Sequence, residues 1–444
     1  MLTYYDAILA PLYFILILLL LILWKRKYYN HSPVAKYIIP CFVLKSICCV
    51  FLACIYHFYY GYSDSETYFN GSQEIWRAAK ENPLYGFELV FKPVENCSFG
   101  AQKYAVQLIN PIQNVPTLFI FRMAGFIGMF CFGTYLPIAL FFSLLAFMGT
   151  WKIFLIFYEQ NPGYHKSIAL GCLFAPSALL WGTNILKDPI CMYGLGLCVT
   201  GLFAISKKRL KLVNLVELFI GSLVLLLVKN YIFYIFLVAV LITFFCMYKS
   251  QYPVIRIVFR FFIFLGLFTG ILLAYRNMQF LGTLLYTNFT GFAIGIQNAQ
   301  SAQAEDGASG YTIPGVTDFS AWGILRTYLL SLNVALFRPY FWEVRNPLML
   351  LNAMESFTVM LLTIYLLIKT KFKGFFKFAT KNSVLFFSLV FSLLLAPLAG
   401  FVSFNFGTLV RYKFPAVPFF YTYLLLLFAM VRKKNTASKA SITA

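Results

Sequence analysis

Long apolar runs separated by short polar breaks dominate the chain. They lie near residues 7–24, 36–58, 134–157, 168–186, 189–206, 213–229, 231–248, 257–275, 348–368, 383–403 and 415–431. Each approaches the roughly 20 residues that an α-helix needs to cross a bilayer. The pattern predicts an all-α polytopic membrane protein with about 11 transmembrane helices, in a range of about 10 to 13. Residues 117–131 add an apolar stretch interrupted by Arg122 and by glycines. It reads as a twelfth span, a re-entrant helix or an interfacial one.

Composition agrees with that reading. Of the 444 residues 61% are hydrophobic and 11% charged, against about half and about a quarter in soluble domains. A formal charge of +21 raises the question of nucleic acid, but the basic residues sit in short clusters between spans. Membrane topology explains them better than DNA does. The clusters Lys25–Lys27, Lys207–Lys211, Lys369–Lys373 and Arg432–Lys434 fall on one side if the first helix runs from outside to inside. The positive-inside rule makes that side cytoplasmic, with the N-terminus outside and the C-terminus inside. Of the 15 acids, all but Glu159 and Glu217 then lie in extracytoplasmic segments or, for Glu355, in the outer half of a span.

A single integral membrane domain, 1–444, is expected, with two large extracytoplasmic loops at 59–116 and 276–347. Loops of this size can roof a cavity at the membrane surface. The first contains GYSDSETYF and an amphipathic stretch, SQEIWRAAKENPLYGFELVF. The second contains NAQSAQAEDGASG, which reads as a mobile loop tip, and then brings Arg338, Trp342 and Glu343 close together. The first apolar run ends in a charged stop rather than a cleavage site, and is expected to remain as an anchor.

Nine of the ten cysteines lie in or beside apolar segments without C-x-x-C spacing, and they read as small hydrophobes. His31, His57 and His165 are scattered at segment ends. No zinc site follows. No P-loop or dinucleotide-binding glycine motif is found.

Three polar stretches at outer helix ends carry the candidate chemistry. Asp64 and Glu66 follow the second span; they read either as part of a helix start, with Ser63 or Asp64 at the cap and Glu66 in the first turn, or as functional acids. Lys187 and Asp188, in PSALLWGTNILKDPICMYGLGL, stand between two spans; they read either as an ion pair closing a hairpin or as a second functional pair. At the interface such charges are cheap, whereas at a helix centre each costs about 2.5–3.5 kcal/mol. Arg411 and Lys413, in SFNFGTLVRYKFPAVPFFY, read either as interfacial anchors or as a phosphate clamp, for which guanidinium is suited.

Here the chain resembles the GT-C superfamily of polytopic glycosyltransferases, which includes protein O-mannosyltransferases and lipid A aminoarabinose transferases. The resemblance rests on the D-x-x-x-Y spacing of Asp64 and Tyr68, on the P-S…W…K-D pattern ending at Lys187 and Asp188, and on Gly407, Arg411, Pro415 and Pro418 near the end. All three fall on one side of the membrane under the topology above. One departure is the leading helix, since members of that superfamily typically begin inside and carry the loop after their first span. The resemblance implies a bacterial inner-membrane enzyme that transfers a sugar from a polyprenyl-phosphate donor to a glycan, lipid or protein acceptor. It implies that Asp64, Glu66 or Asp188 acts as base or binds a divalent metal, and that Lys187, Arg338, Arg411 and Lys413 hold the lipid phosphate. Tyr68, Trp342 and Glu343 would line the substrate loops.

Two other classes remain open. A polysaccharide polymerase or ligase would depend on the outer arginines more than on Asp64. A lipid or polysaccharide transporter would show ionisable residues buried within spans, or broken helices in paired halves.

Overall fold

The computed structural model describes residues 1–109, 114–209, 211–247, 291–303, 309–316, 318 and 320–443. These residues are helical or irregular, with one isolated antiparallel bridge from Gly310 to Asn405. The chain gathers into two compact units, Met1–Phe233 and Tyr234–Ala444.

The first unit opens with α1 (Tyr4–Tyr29) and α2 (Ile38–Cys54), the latter continuing as a wider-wound turn, Ile55–Tyr60, that stops at left-handed Gly61. The first predicted loop is largely helix: α3 (Asp64–Glu81), α4 (Pro83–Phe91) and the single turns α5 (Phe99–Gln102) and α6 (Val106–Ile109). The apolar stretch after it forms α7 (Val115–Phe130). At 16 residues α7 rises about 24 Å, short of a bilayer core of about 30 Å. Then come α8 (Tyr135–Gln160), α9 (His165–Cys172), α10 (Pro176–Leu180), α11 (Lys187–Ser206) and α12 (Leu212–Met247), whose residues from Tyr234 onward belong to the second unit. α8 is central, packing against α1, α2, α9 and α11.

The second unit holds α13, described over residues 291–303, then α14 (Ala321–Phe337), α15 (Pro347–Ala379), α16 (Ser383–Val402), α17 (Phe406–Lys413) and α18 (Val417–Thr443). α16 lies against α14 and α18. Of the predicted loop tip, 298–303 are helical, and Gly310 bridges to Asn405 while Phe406 donates its N–H to Ser309; residues 304–308 lie outside the described residues. α14 places an apolar helix where a loop was read.

Eight helical stretches among the described residues are long and apolar enough to cross a membrane. The difference from about eleven has three sources. The run at 168–186 is broken into α9 and α10 by Pro176, so it makes no single spanning helix. The runs at 213–229 and 231–248 join into α12, with no loop between them. The run at 257–275 lies outside the described residues. A straight 36-residue helix would be about 54 Å long, well beyond the bilayer core. α12 instead breaks at Lys229 (φ −147°, ψ 78°), between the two apolar runs. α15 breaks likewise at Lys371 (φ 54°, ψ 156°).

Polar caps set where many helices begin. Ser63, Asn82, Asn114, Asn346, Asn382 and Asn405 each accept a first-turn backbone N–H. Such caps satisfy donors that a helix start leaves unpaired. Inside the membrane, where burial of apolar surface no longer drives association, small residues allow close van der Waals packing. α8 and α11 cross at Gly149 and Gly196: a methyl group on Gly196 would stand 2.5 Å from the Gly149 carbonyl oxygen. α11 and α12 cross at Gly194 and Gly221, where a methyl group on Gly221 would stand 2.6 Å from the Gly194 oxygen.

Gly196→Ala should therefore lower the stability of the detergent-solubilised protein by about 1–3 kcal/mol, because the obstructing atoms are backbone. Gly163→Ala, which meets nothing within 4 Å, should leave the thermal midpoint nearly unchanged. Equal midpoints for the two variants would contradict the close crossing.

Candidate functional site

Ser63 begins α3, and Asp64 and Glu66 occupy its first turn. The capping reading of this stretch holds, with Ser63 as the cap. Negative charge in this turn is also favoured by the helix dipole. Glu66 lies 4.0 Å from the amino group of Met1, while Asp64 is exposed. Tyr68, read as a loop residue, is instead buried on the helix, one turn beyond Asp64 on the same face. Its ring meets Phe121 of α7 edge-on at 6.3 Å.

Lys187 and Asp188 do not pair with one another to close a hairpin. Half-buried Lys187 places its ammonium 5.6 Å from the centre of the Tyr68 ring and donates to Thr117 Oγ1 at 3.1 Å. Asp188 turns inward and meets Lys229 Nζ at 2.6 Å, both side chains being buried. The backbone break at Lys229 thus coincides with the residue that carries the charge. In the sequence Lys229 is only a lysine at the end of an apolar run, since its partner lies 41 positions away.

A buried polar network holds this end of the unit together. Ser65, next to Asp64, shares a 2.6 Å hydrogen bond with the Tyr135 hydroxyl. Tyr135 donates in turn to Asn184 Oδ1 at 2.9 Å. Asn184 adopts a left-handed conformation, φ 63°, which asparagine tolerates better than most residues. Its amide donates to the Cys49 carbonyl and to Thr183 Oγ1. Lys45, buried in α2, donates to the Ala178 carbonyl at 2.7 Å. These bonds anchor the segment before α11, and with it Lys187, to α2, α3 and α8. None of Ser65, Tyr135, Asn184 and Lys45 carries a spacing signal in the sequence; the polar G-T-N near the end of the apolar run 168–186 is the hint for Asn184.

Beside this end, α1, α2 and α8 line an open apolar cavity of about 600 Å³, with Ala10, Phe14, Ile47, Val50 and Leu140 among the lining residues. Asp6 lies at its rim, accepting the N–H and hydroxyl of Thr3 and the Leu136 N–H. Leu136 adjoins Tyr135, so the cavity rim and the Asp64 turn are linked through Tyr135 and Ser65.

The remaining candidates belong to the second unit. Arg338 is engaged by Glu343, its Nε lying 3.0 and 3.1 Å from the two carboxylate oxygens. Its guanidinium also stands 5.4 Å from the Tyr311 and Phe406 rings. Burial pushes the Tyr311 phenol well above its ordinary range, and its hydroxyl donates to the Gly400 carbonyl at 2.7 Å. Trp342 is 82% exposed and stacks on Tyr340. Lys413 is buried, with Nζ 3.5 Å from Ser356 Oγ, which donates to the Arg338 carbonyl. Arg411 is half-buried in the last turn of α17. Arg338, Glu343 and Lys413 are thus brought together, whereas Asp64, Tyr68 and Lys187 form a separate group in the first unit. Among the described residues no three His, Cys, Asp or Glu side chains gather as metal ligands.

Removing one partner of a buried ion pair leaves an uncompensated charge, at about 3–5 kcal/mol. Asp188→Asn should destabilise the protein by about that amount, and adding Lys229→Met should recover much of the loss in the same thermal unfolding assay. A single variant as stable as the parent would show that the pair is not what holds α11 to α12. Comparison of the chain with protein-family models, with curated proteins and with solved structures gives no match.

Proposed function

We propose that the chain is a membrane glycosyltransferase that moves a sugar from a polyprenyl-phosphate donor to an acceptor hydroxyl outside the cytoplasm. The observation that supports it is the placing of Lys187 over Tyr68, one helical turn from the exposed carboxylate of Asp64. An acid and a cation thereby share one end of a membrane bundle. In this reading Asp64 takes the proton of the acceptor hydroxyl as its oxygen attacks the anomeric carbon. The new carbon–oxygen bond forms as the anomeric carbon–phosphate oxygen bond breaks, with inversion. The electron pair leaves on the polyprenyl phosphate, whose growing charge faces Lys187. The isoprenoid tail runs along the apolar cavity between α1, α2 and α8. Asp188, neutralised by Lys229, positions Lys187 and leaves the proton transfer to Asp64. Arg338 is already matched by Glu343, so the phosphate falls to Lys187. The N-terminus faces outside and the C-terminus the cytoplasm of a bacterial inner membrane.

A second reading has its own observation. Lys229 and Asp188 form a buried ion pair at a helix break, a combination found in transporters. On that reading the chain carries a lipid-linked glycan across the bilayer.

Transfer by the purified protein in nanodiscs, assayed over a panel of polyprenyl-phosphate sugars, tests the first reading. Asp64→Asn should slow transfer by about 100-fold or more while leaving folding intact, since Asp64 is exposed, and Lys187→Met should slow it as well. Full activity in Asp64→Asn together with its loss in Arg411→Ala would favour a polymerase. Absence of turnover with every donor, combined with movement of a lipid-linked glycan across proteoliposomes, would favour the transporter.

A further inference from the structure

The break at Lys371 separates the membrane-length part of α15 from a short helical tail, 372–379, of different character. The stretch 369–381 reads KTKFKGFFKFATK, with five lysines and no acid. Phe375 and Phe378 turn inward onto Tyr423 of α18, at ring distances of 5.4 and 5.3 Å, and Tyr423 donates to the Phe375 carbonyl. Phe372 and Phe376 form an outward stripe, 71% and 38% exposed, with their rings 4.8 Å apart. Lys373 and Lys377 repeat at the same spacing on the neighbouring stripe and are exposed, as are Lys369, Lys371 and Lys381.

Folding then adds a second basic run to the first. Lys381 Nζ lies 3.4 Å from Met430 Sδ of α18, half a turn before Arg432 and Lys433, which are also exposed. Two clusters separated by some 50 positions of sequence therefore meet at one end of the unit. No acidic residue occurs anywhere after Glu355, so α16, α17 and α18 offer this cluster no carboxylate. None of the five lysines takes part in an ion pair among the described residues.

We propose that this end of the second unit is a binding surface for anionic phospholipid headgroups. The tail 372–379 lies along the membrane interface, with Phe372 and Phe376 entering the acyl boundary and the lysines reaching phosphate. Amphipathic, lysine-bearing helices bind interfaces in this way. A lysine near an anionic leaflet contributes about 1 kcal/mol, or about a fivefold change in lipid partitioning. The surface is built from residues of the second unit alone and does not depend on what reaction the chain performs.

The test loads the full chain in detergent with an equimolar mixture of phosphatidylglycerol and phosphatidylcholine, and counts retained lipids by native mass spectrometry. Phosphatidylglycerol should outnumber phosphatidylcholine at least about fivefold. The preference should fall towards parity in Lys373→Gln/Lys377→Gln/Lys381→Gln and persist in the matching arginine variant. Lys25→Gln/Lys27→Gln, at a different basic cluster, should leave it largely in place. Equal thermal midpoints establish that the variants are folded; the arginine variant supplies the comparison if the glutamine variant is not. Parity in the parent protein, or an unchanged preference in the folded glutamine variant, overturns the proposal. So does selective stabilisation by heparin without lipid preference, which would make the partner an acidic macromolecule in solution.

Discussion

Asp188 and Lys229 bind each other where neither charge has a cheap alternative. Both are buried at 2.6 Å separation in helices apolar enough to span a membrane. A lone charge in such surroundings is costly, so each residue requires the other. The consequence is architectural. The pair joins the first turn of α11 to the broken point of α12. The Gly194–Gly221 crossing brings the same two helices close further along. One charge pair and one pair of missing side chains thus define how α11 and α12 meet.

That junction decides which way Lys187 can point. Adjacent residues on a helix diverge by about 100°, and because Asp188 is committed inward, Lys187 is turned towards α3 and α7. The network from Ser65 through Tyr135 to Asn184 then draws the start of α3 to the same end of α8. Every link is buried and hydrogen-bonded, as a polar group inside a membrane protein must be. The exposed carboxylate of Asp64 stands on that rigid base. Rigid support beneath an exposed polar group is what a site needs in order to hold geometry at a solvent boundary.

Charge is distributed unevenly along the chain. The acids end at Glu355, while basic residues continue to the C-terminal region. In the second unit Arg338 is held by Glu343 and surrounded by aromatic rings, whereas the lysines beyond the break in α15 are exposed and form no ion pair among the described residues. A cation embedded among rings and a carboxylate organises protein structure; cations left at a membrane-proximal end attract whatever anion the surroundings supply.

Hydropathy alone determined the class of molecule. Runs of about 20 apolar residues admit few solutions in water or lipid other than membrane helices, and eight such stretches stand among the described residues. Local capping was also legible: S-D-S-E predicted the start of α3, because a cap and its first turn are contiguous in sequence. The breaks were harder to read. Pro176 split one expected span into two short helices, and a single residue, Lys229, replaced an expected loop. The pairings could not be read at all. Lys187 beside Asp188 looked like a local ion pair, but neighbouring helical positions face different ways, and the true partner of Asp188 lies 41 positions on. Likewise the union of the 369–381 lysines with Arg432 and Lys433 depends on α15 packing against α18. Local energetics are written in adjacent residues, whereas the choice of partner belongs to helix packing, which only the tertiary structure decides.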